Sequence, residues 1–451
     1  MKAFHLDAAS LDELIQSNDH PLQKELLLHH LEGCAVCGPV GAHLVEARRA
    51  GRLPRLYSSV EAGLAKSLHE APALWRKLEP FSPGRRRGLV QDTDRFLSWG
   101  LCELLCRKSE TTAAHDASEA VDLAELAVLI AERLRPSRSV EEAWLQELRA
   151  LAWAHLGNAR RVLGELRSAE EAFEAAAALW EKGASEIADA LGFGPVILDL
   201  LASLRRAQRR FDDALLLIDQ AVLAWLHGPE ETRDLHLAGQ ALISKAYTFD
   251  QMGEPERALE TLREAAPLVD CDRDPRLLLC VRHNLLDTLS KTGRYDEAAA
   301  LLPEVEALSR ETGSALDVLR LRWAEGRIAA GRGEAGRAEG LLEEVRREFS
   351  EREMGYDAAL ASLELAALYA DQGRTAELRA LAWKLPPLFR SRDVHREALA
   401  ALTLFHQAAA KETATLEMIR SLGSYLTRAR QDPGLKWEGS CNGRSRGPQG
   451  G

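Results

Sequence analysis

The chain has 451 residues, more than one ordinary hydrophobic core holds, which suits several domains or an array of repeats. Hydrophobic residues make up 46% and aromatic residues only 6%, and Ala, Leu, Glu and Arg dominate, so we expect helices and almost no sheet. The net charge of -11 argues against direct nucleic-acid binding, which needs a basic surface. The N-terminus lacks the apolar segment of a signal peptide, and no run reaches the ~18 apolar residues of a membrane span. We therefore expect a cytoplasmic protein that does not enter a membrane.

Residues 29–37 read HHLEGCAVC, which spaces His30, Cys34 and Cys37 as H-x3-C-x2-C. His30 lies one helical turn before Cys34, on the same face of the helix that the preceding residues predict. Two thiolates and an imidazole at this spacing are typical zinc ligands. Two alternatives stay open: the thiols are small buried residues at a helix end, or they form a redox pair.

This stretch resembles the zinc-finger module of anti-sigma factors, over about residues 1–48. The resemblance implies a zinc ion held by His30, Cys34, Cys37 and a fourth ligand further upstream. We predict His5, which lies 25 residues before His30, as that ligand. The rival candidates are His20, His29 and His43.

Residues 49–88 are predicted to form a linker or a docked helix, with Trp75, Leu78 and Phe81 as docking residues. This segment ends in the basic run GRRRG at 84–88, and a second run, RRAQRR, lies at 205–210. We interpret both runs as solvated faces or turn flanks, with anion binding as the alternative.

A repeat then fills most of the chain. Its markers are glycines spaced 40 residues apart, each followed five positions later by a small or apolar residue: Gly253, Gly293, Gly333 and Gly373. Gly164 and Arg209 take the same place in two earlier copies. Because a left-handed glycine ends helices, these positions predict the turn inside each copy. Apolar residues at i, i+3, i+4 and i+7 predict two amphipathic helices per copy, which must stack to bury both faces.

The copy at 150–183 carries W-x2-L-G and A-x3-F motifs, formed by Trp153, Leu156, Gly157, Ala169 and Phe173. This pattern resembles the tetratricopeptide repeat (TPR). Arg160 and Glu181 depart from its usual Tyr and Pro, and the period exceeds the usual ~34 residues. The resemblance implies an all-α, TPR-like α-solenoid, a right-handed superhelix of helix hairpins with a concave groove.

We place about eight units over 89–430, and the divergent first and last ones act as caps. The first helix of the first unit is predicted at 89–107 and its second at 116–134. The full units are placed near 150–194, 195–238, 239–278, 279–318, 319–358 and 359–398. A weaker unit follows at 399–430, and residues 431–451 are predicted to be a flexible tail.

The remaining thiols and glycine motifs receive structural interpretations. Cys102, Cys106, Cys271 and Cys280 are predicted to be structural rather than metal-binding. GRGEAG at 331–336 matches a nucleotide-binding pattern, but no strand precedes it and its second glycine is the repeat-turn glycine.

Histidines and tryptophans within the repeats are treated in the same way. His155 and His283 lie on first helices, where a ligand in the groove would touch them, although ordinary packing is favoured. Trp153, Trp180 and Trp323 are predicted to lie in the core.

No nucleophile elbow, P-loop or metalloprotease motif is present in the sequence, so we expect no enzyme. The repeats predict an interaction scaffold that binds a peptide or protein in its groove. The anti-sigma resemblance implies a sigma factor as partner, occluded by the zinc module in transcription regulation. The alternative is a cytoplasmic TPR sensor of a peptide or small ligand, whose N-terminal module is a metal-free structural cap. An enzyme hidden in the repeats is the third hypothesis.

Overall fold

The computed structural model describes residues 57–113, 115–136, 142–183, 193–227, 233–384, 396–430, 435 and 437. The predicted zinc-finger module at 1–48 lies outside these residues. The described residues form helices and turns and contain no strand.

Eighteen α-helices and two 3-10 helices, Asp94–Phe96 and Ala266–Leu268, lie in the described ranges. In chain order the α-helices are α1 (Tyr57–Leu78), α2 (Pro83–Asp92), α3 (Trp99–Ala113), α4 (Ala117–Arg133), α5 (Glu142–Leu163), α6 (Leu166–Gly183), α7 (Phe193–Ala207), α8 (Phe211–His227), α9 (Leu235–Met252), α10 (Pro255–Ala265), α11 (Pro275–Lys291), α12 (Tyr295–Thr312), α13 (Ala315–Gly331), α14 (Ala335–Glu351), α15 (Gly355–Asp371), α16 (Thr375–Trp383), α17 (Arg396–Ala410) and α18 (Leu416–Ala429). From α3 onwards they follow one another as successive pairs, α3/α4 to α17/α18.

The start of the first pair differs from the expectation of one helix over 89–107. Thr93 is extended, with φ -140° and ψ 149°, and therefore ends α2. A 3-10 turn follows, and the Ser98 hydroxyl then accepts a hydrogen bond from the backbone N–H of Leu101 at 3.3 Å, at the start of α3. The Ser98 side chain thus caps α3 and separates it from α2, although the apolar pattern of the segment is continuous.

The turn inside most pairs has one recurring geometry, as the glycine spacing predicted; the α3/α4 turn differs, since Asp116 N–H donates to the Thr112 carbonyl four residues back. Positive φ angles occur at the repeat glycines: 92° at Gly164, 80° at Gly253, 77° at Gly293, 78° at Gly333 and 67° at Gly373. The next backbone N–H donates to the carbonyl five residues back, as from Glu334 to Ala329 at 2.9 Å. This hydrogen bond closes the C-terminus of the first helix.

Three non-glycine residues take the same left-handed conformation, each with φ 58°: Arg209, Glu353 and Glu412. Arg209 and Glu412 lie inside the pairs α7/α8 and α17/α18, whereas Glu353 lies between successive pairs. The left-handed turn conformation is therefore present at Arg209 and Glu412, although neither residue is glycine.

Small residues lie where the two helices of a pair cross. In the six pairs from α5/α6 to α15/α16, the position five after the turn residue is buried: Ala169, Ala214, Ala258, Ala298, Ala338 and Leu378. On the opposing helix α5, a Cβ added to Gly157 would lie 2.7 Å from the Phe173 ring. The W-x2-L-G and A-x3-F motifs are thus the two sides of one close helix contact.

Contacts divide the chain into two compact units, Met1–Thr248 and Phe249–Gly451. A core of the first unit extends from α1 to α6 and includes the fully buried Leu101, Leu105 and Ile130. A core of the second unit includes Phe349, Phe405 and Tyr425, each at most 1% exposed. Burying one such side chain stabilises a fold by roughly 1.5–3 kcal/mol.

Helix α1 packs against α3 and belongs to the first core. Trp75 and Leu78 are buried, whereas Phe81 is 43% exposed. The backbone N–H of Gly100 donates to the Ser67 hydroxyl at 2.9 Å, and a Cβ on Gly100 would overlap the Ser67 carbonyl. Within this segment, residues 57–78 form a helix that packs against α3.

RRAQRR flanks the α7/α8 turn at Arg209, as one of the two expectations had it, but one arginine of each basic run is buried rather than solvated. Arg86 is 9% exposed and donates to Glu119 on α4 at 2.7 Å. Arg205 is fully buried and forms a bidentate pair with Glu170 at 2.6 and 2.9 Å. Carboxylates from neighbouring helices, distant in sequence, draw these guanidinium groups inward.

Two described residues of the predicted flexible tail, Leu435 and Trp437, pack against the core of the second unit. The Tyr425 hydroxyl donates to the Leu435 carbonyl at 2.9 Å, and Trp437 Nε1 donates to the Ser421 hydroxyl at 3.2 Å. The structure therefore differs from the expectation at these two positions, because α18 offers them apolar and polar partners.

Candidate functional site

A cavity of about 280 Å³ lies in the first unit among the first helices of four successive pairs, α3, α5, α7 and α9. The repeat register explains this convergence. Cys106, Leu151, Val196 and Ala241 recur every 45 residues and all line the cavity. Further apolar walls come from Phe193, Leu200, Trp225 and Leu237.

His155 is the most buried polar residue of this cavity, at 4% exposed. Its Nδ1 has no hydrogen-bond partner in the protein. Burial lowers the pKa of the imidazole to about 4, so the ring is neutral at physiological pH. A neutral imidazole can offer an acceptor nitrogen to a ligand.

Three carboxylates also line the cavity: Glu103, Glu110 and Asp199. Burial raises the pKa of Asp199, although Arg206, Ser244 and Arg161 act against this, and its buried Oδ1 has no hydrogen-bond partner. Glu110 is an exposed residue, but desolvation by the neighbouring protein raises the pKa of its carboxyl, and the charge of Asp199 raises it further. The carboxylates of Glu110 on α3 and Asp199 on α7 therefore repel each other.

Glu103 differs because it has partners of its own. Burial raises its pKa, whereas a hydrogen bond from Trp99 Nε1 and the charge of Arg107 lower it. Arg107 is the basic residue of the lining and lies on the exposed side of α3.

Two arginines in equivalent register, Arg161 on α5 and Arg206 on α7, flank Asp199 without lining the cavity. Arg161 donates twice to Asn158 Oδ1, at 3.1 and 2.8 Å. Arg206 donates to the hydroxyls of Ser244 and Ser203, at 2.9 and 3.1 Å. Burial and the neighbouring Arg206 charge lower the pKa of Arg161 to about 10.

In the second unit, the corresponding helices carry charges that pair with one another. Asp287 on α11 accepts from Arg327 on α13 at 2.7 Å and lies 2.8 Å from Lys291 Nζ. Arg327 Nε lies 3.1 Å from Glu364 on α15, which also accepts from Trp323 Nε1 at 2.8 Å. Burial opposes ionisation of Asp287, but Lys291 and Arg327 together hold its pKa well below the usual range.

The four predicted zinc ligands, His5, His30, Cys34 and Cys37, lie outside the described residues. Cys102 and Cys106 are buried thiols, as predicted. The Cys102 thiol contacts the Ala127 carbonyl at 3.4 Å, and its hydrogen bond with Cys106 raises its pKa well above the usual value.

The other two predicted structural thiols differ from each other. Cys280 is half-buried, whereas Cys271 is exposed beside Asp270 and Asp272. The three ligand atoms of residues 270–272 lie within 4.8 Å of one another, but all three residues are exposed.

Of the predicted groove histidines, the structure brings His155 into the cavity. His283 lies on α11 with an unpartnered, buried Nε2, and burial lowers its pKa. Trp180 and Trp323 are buried, and Trp153 packs against a core, as predicted. Glu110 and Asp199 were missed; Glu110 lies one 45-residue period before His155, and this register was the signal that could have found it.

Among the described helices, none combines the length and apolarity that crossing a membrane requires.

A comparison with models of protein families finds no match, and neither does a comparison with curated proteins. Solved structures do resemble the chain. A Rap protein complexed with Competence and Sporulation Factor is 13% identical, with a TM-score of 0.51, over 74% of this chain and 88% of that chain. Aspartyl phosphate phosphatase F from Bacillus subtilis is 10% identical, with a TM-score of 0.47, over 86% of this chain and 96% of that chain. The chain has the fold of a TPR-like helical-repeat solenoid, as its sequence motifs predicted.

Proposed function

We propose that the protein is a binding scaffold that holds a peptide, or an extended segment of a protein, on the first-helix face of its first unit. The observation that carries this proposal is the cavity among α3, α5, α7 and α9, with the unpartnered Nδ1 of His155 and Oδ1 of Asp199. A cavity of about 280 Å³ is below the usual range of whole small-ligand sites, roughly 300–1,000 Å³. It fits one anchoring side chain of a longer partner.

The fold supports a binding role. The Rap protein that shares it was crystallised with Competence and Sporulation Factor, so a repeat array of this kind holds a partner in at least one relative by fold. The proposed role is binding without catalysis, and the partner is a protein or peptide rather than nucleic acid. The cytoplasmic location expected from the sequence remains a prediction.

Selection of a random-peptide library on the full-length chain tests this proposal. We expect the selected peptides to lose at least about tenfold in affinity to Val196→Trp, which fills the cavity from α7. The matched control is Val162→Trp, because Val162 is 38% exposed on α5 and does not line the cavity. Equal affinities for both variants, with unchanged circular dichroism, would place binding elsewhere.

A second role concerns the N-terminal segment. We propose that His30, Cys34, Cys37 and His5 bind zinc, and that this module occludes a sigma factor. The H-x3-C-x2-C spacing and the anti-sigma resemblance support this proposal.

Metal analysis of the purified full-length chain tests the zinc site directly. We expect one zinc per chain in the wild type and in Cys271→Ser, whose thiol is exposed in the second unit. Cys34→Ser/Cys37→Ser should lose the metal, and comparing His5→Ala with His20→Ala identifies the fourth ligand. Pull-down of a sigma factor by the wild type and not by the double variant supports occlusion, whereas zinc binding without a sigma factor leaves a structural cap.

A further inference from the structure

The first-unit cavity contains polar atoms that the protein itself leaves without partners. Nδ1 of His155 belongs to a side chain only 4% exposed, and Oδ1 of Asp199 is also buried. Buried polar groups in folded proteins are almost always hydrogen-bonded, because leaving one unpaired is costly. Two such atoms at one cavity indicate that a ligand completes their hydrogen bonds.

The charge of the lining shows which kind of ligand fits. Three carboxylates and one guanidinium line the cavity, which leaves an acidic excess. Glu110 and Asp199 both line the cavity, and the charge of Asp199 raises the pKa of Glu110. A cation placed between two like-charged carboxylates would relieve their repulsion.

Two further arginines, Arg161 and Arg206, lie near Asp199 and form hydrogen bonds within the protein. Arg161 donates to Asn158, and Arg206 donates to Ser203 and Ser244. Neither arginine lines the cavity. Of the two unpartnered buried atoms of the lining, Oδ1 of Asp199 is an acceptor, and Nδ1 of the neutral His155 ring is an acceptor when the proton is on Nε2.

We infer that the cavity binds the basic side chain, arginine or lysine, of the peptide partner. Its aliphatic stem lies against Leu151 and Val196, and its charged end lies between Glu110 and Asp199, with Nδ1 of His155 as a further acceptor. Long basic side chains commonly bury an apolar stem and present a charged end, which matches apolar walls with an acidic end. This inference rests on the proposed peptide-binding function and names the residue that anchors the peptide.

The test uses peptides selected on the full-length chain from the random library. Each basic residue of a selected peptide is replaced in turn by citrulline, which keeps the shape of arginine without its charge, or by norleucine, which keeps the stem of lysine. We expect one replacement to weaken binding to the wild type by at least about tenfold. The same replacement should cost less than about twofold in Asp199→Asn and Glu110→Gln, which have already lost the partner charge.

Matched controls are Asp212→Asn and Glu174→Gln, exposed carboxylates on α8 and α6 that do not line the cavity. Both should keep the full tenfold effect. Peptides that bind at the cavity but tolerate citrulline and norleucine everywhere would overturn the cation inference and leave the scaffold function standing. A library that yields no peptide sensitive to Val196→Trp would overturn both.

Discussion

Single residues determine the turns of this repeat, because each such turn has one residue with a positive φ angle. Gly333 has φ 78°, and an added Cβ would have open space around it, so a substitution there costs only backbone strain. Gly336, three residues later, is an exposed helical position of α14, also with open space. Because an added Cβ meets no neighbour at either site, the difference between the two alanine substitutions reports the backbone strain at Gly333.

We expect Gly333→Ala to lower the free energy of unfolding by roughly 1–2 kcal/mol, the cost of the left-handed conformation for an L-residue. Gly336→Ala should be neutral or stabilising by up to about 1 kcal/mol, because alanine is the better helix former. Urea unfolding of the two variants measures the difference. A loss of equal size in both would mean that φ is not the cause.

His155 makes the stability of the fold depend on pH. Its pKa falls from 6.5 to about 4 on burial, so the unfolded chain takes up this proton first as the pH drops. The contribution of the neutral ring is complete above pH 6.5 and is lost as the pH falls towards 4, by about 3 kcal/mol in total. His155→Gln should flatten this part of the stability profile. Urea unfolding of the wild type and of His155→Gln at a series of pH values measures the change.

At the scale of helices, buried ion pairs join one repeat to the next. Arg205 on α7 has a side chain 1% exposed, and both of its pair bonds go to Glu170 on α6. Removing one partner of such a pair leaves a buried charge uncompensated. The contrast is Glu171 on the same helix, which forms an exposed pair with Arg167 at 3.5 Å.

We expect Glu170→Ala to cost roughly 2–4 kcal/mol of unfolding free energy, with part of the cost screened because Glu170 is partly exposed. Glu171→Ala should cost less than about 0.5 kcal/mol. The double variant Glu170→Leu/Arg205→Met should recover much of the loss, because an apolar pair carries no desolvation penalty. Denaturant unfolding would refute this if Glu170→Ala and Glu171→Ala were indistinguishable.

At the scale of the whole molecule, stacked repeats contact mainly their sequence neighbours, so stability should be local. Glu170→Ala should therefore reduce amide hydrogen-exchange protection in α5 to α8 and leave α13 to α18 protected as in the wild type. Exchange followed by mass spectrometry of peptide fragments measures this directly. A uniform loss over both units would instead indicate one cooperative array.

Much of the fold could be predicted because its signals are local and periodic. The glycine spacing located the turns from Gly164 to Gly373, since a left-handed position needs only its own residue and its flanking helices. The division between α2 and α3 could not be predicted from apolar spacing, because the Ser98 cap interrupts a continuous pattern. The burial of Arg86 and Arg205 within the basic runs could not be predicted for a related reason. The carboxylates that pair with these two arginines are more than 30 residues away in the sequence.

The sequence by itself determined the repeat architecture, through its period, its turn glycines and the small residues at the helix crossings. Only the tertiary structure decided where an open site lies. In the first unit, the first helices surround an acidic cavity at His155. On the equivalent helices of the second unit, Arg327 pairs with both Asp287 and Glu364. Whether a charge stays available depends on which side chains three neighbouring helices bring within hydrogen-bond distance, and the period of a repeat does not specify that.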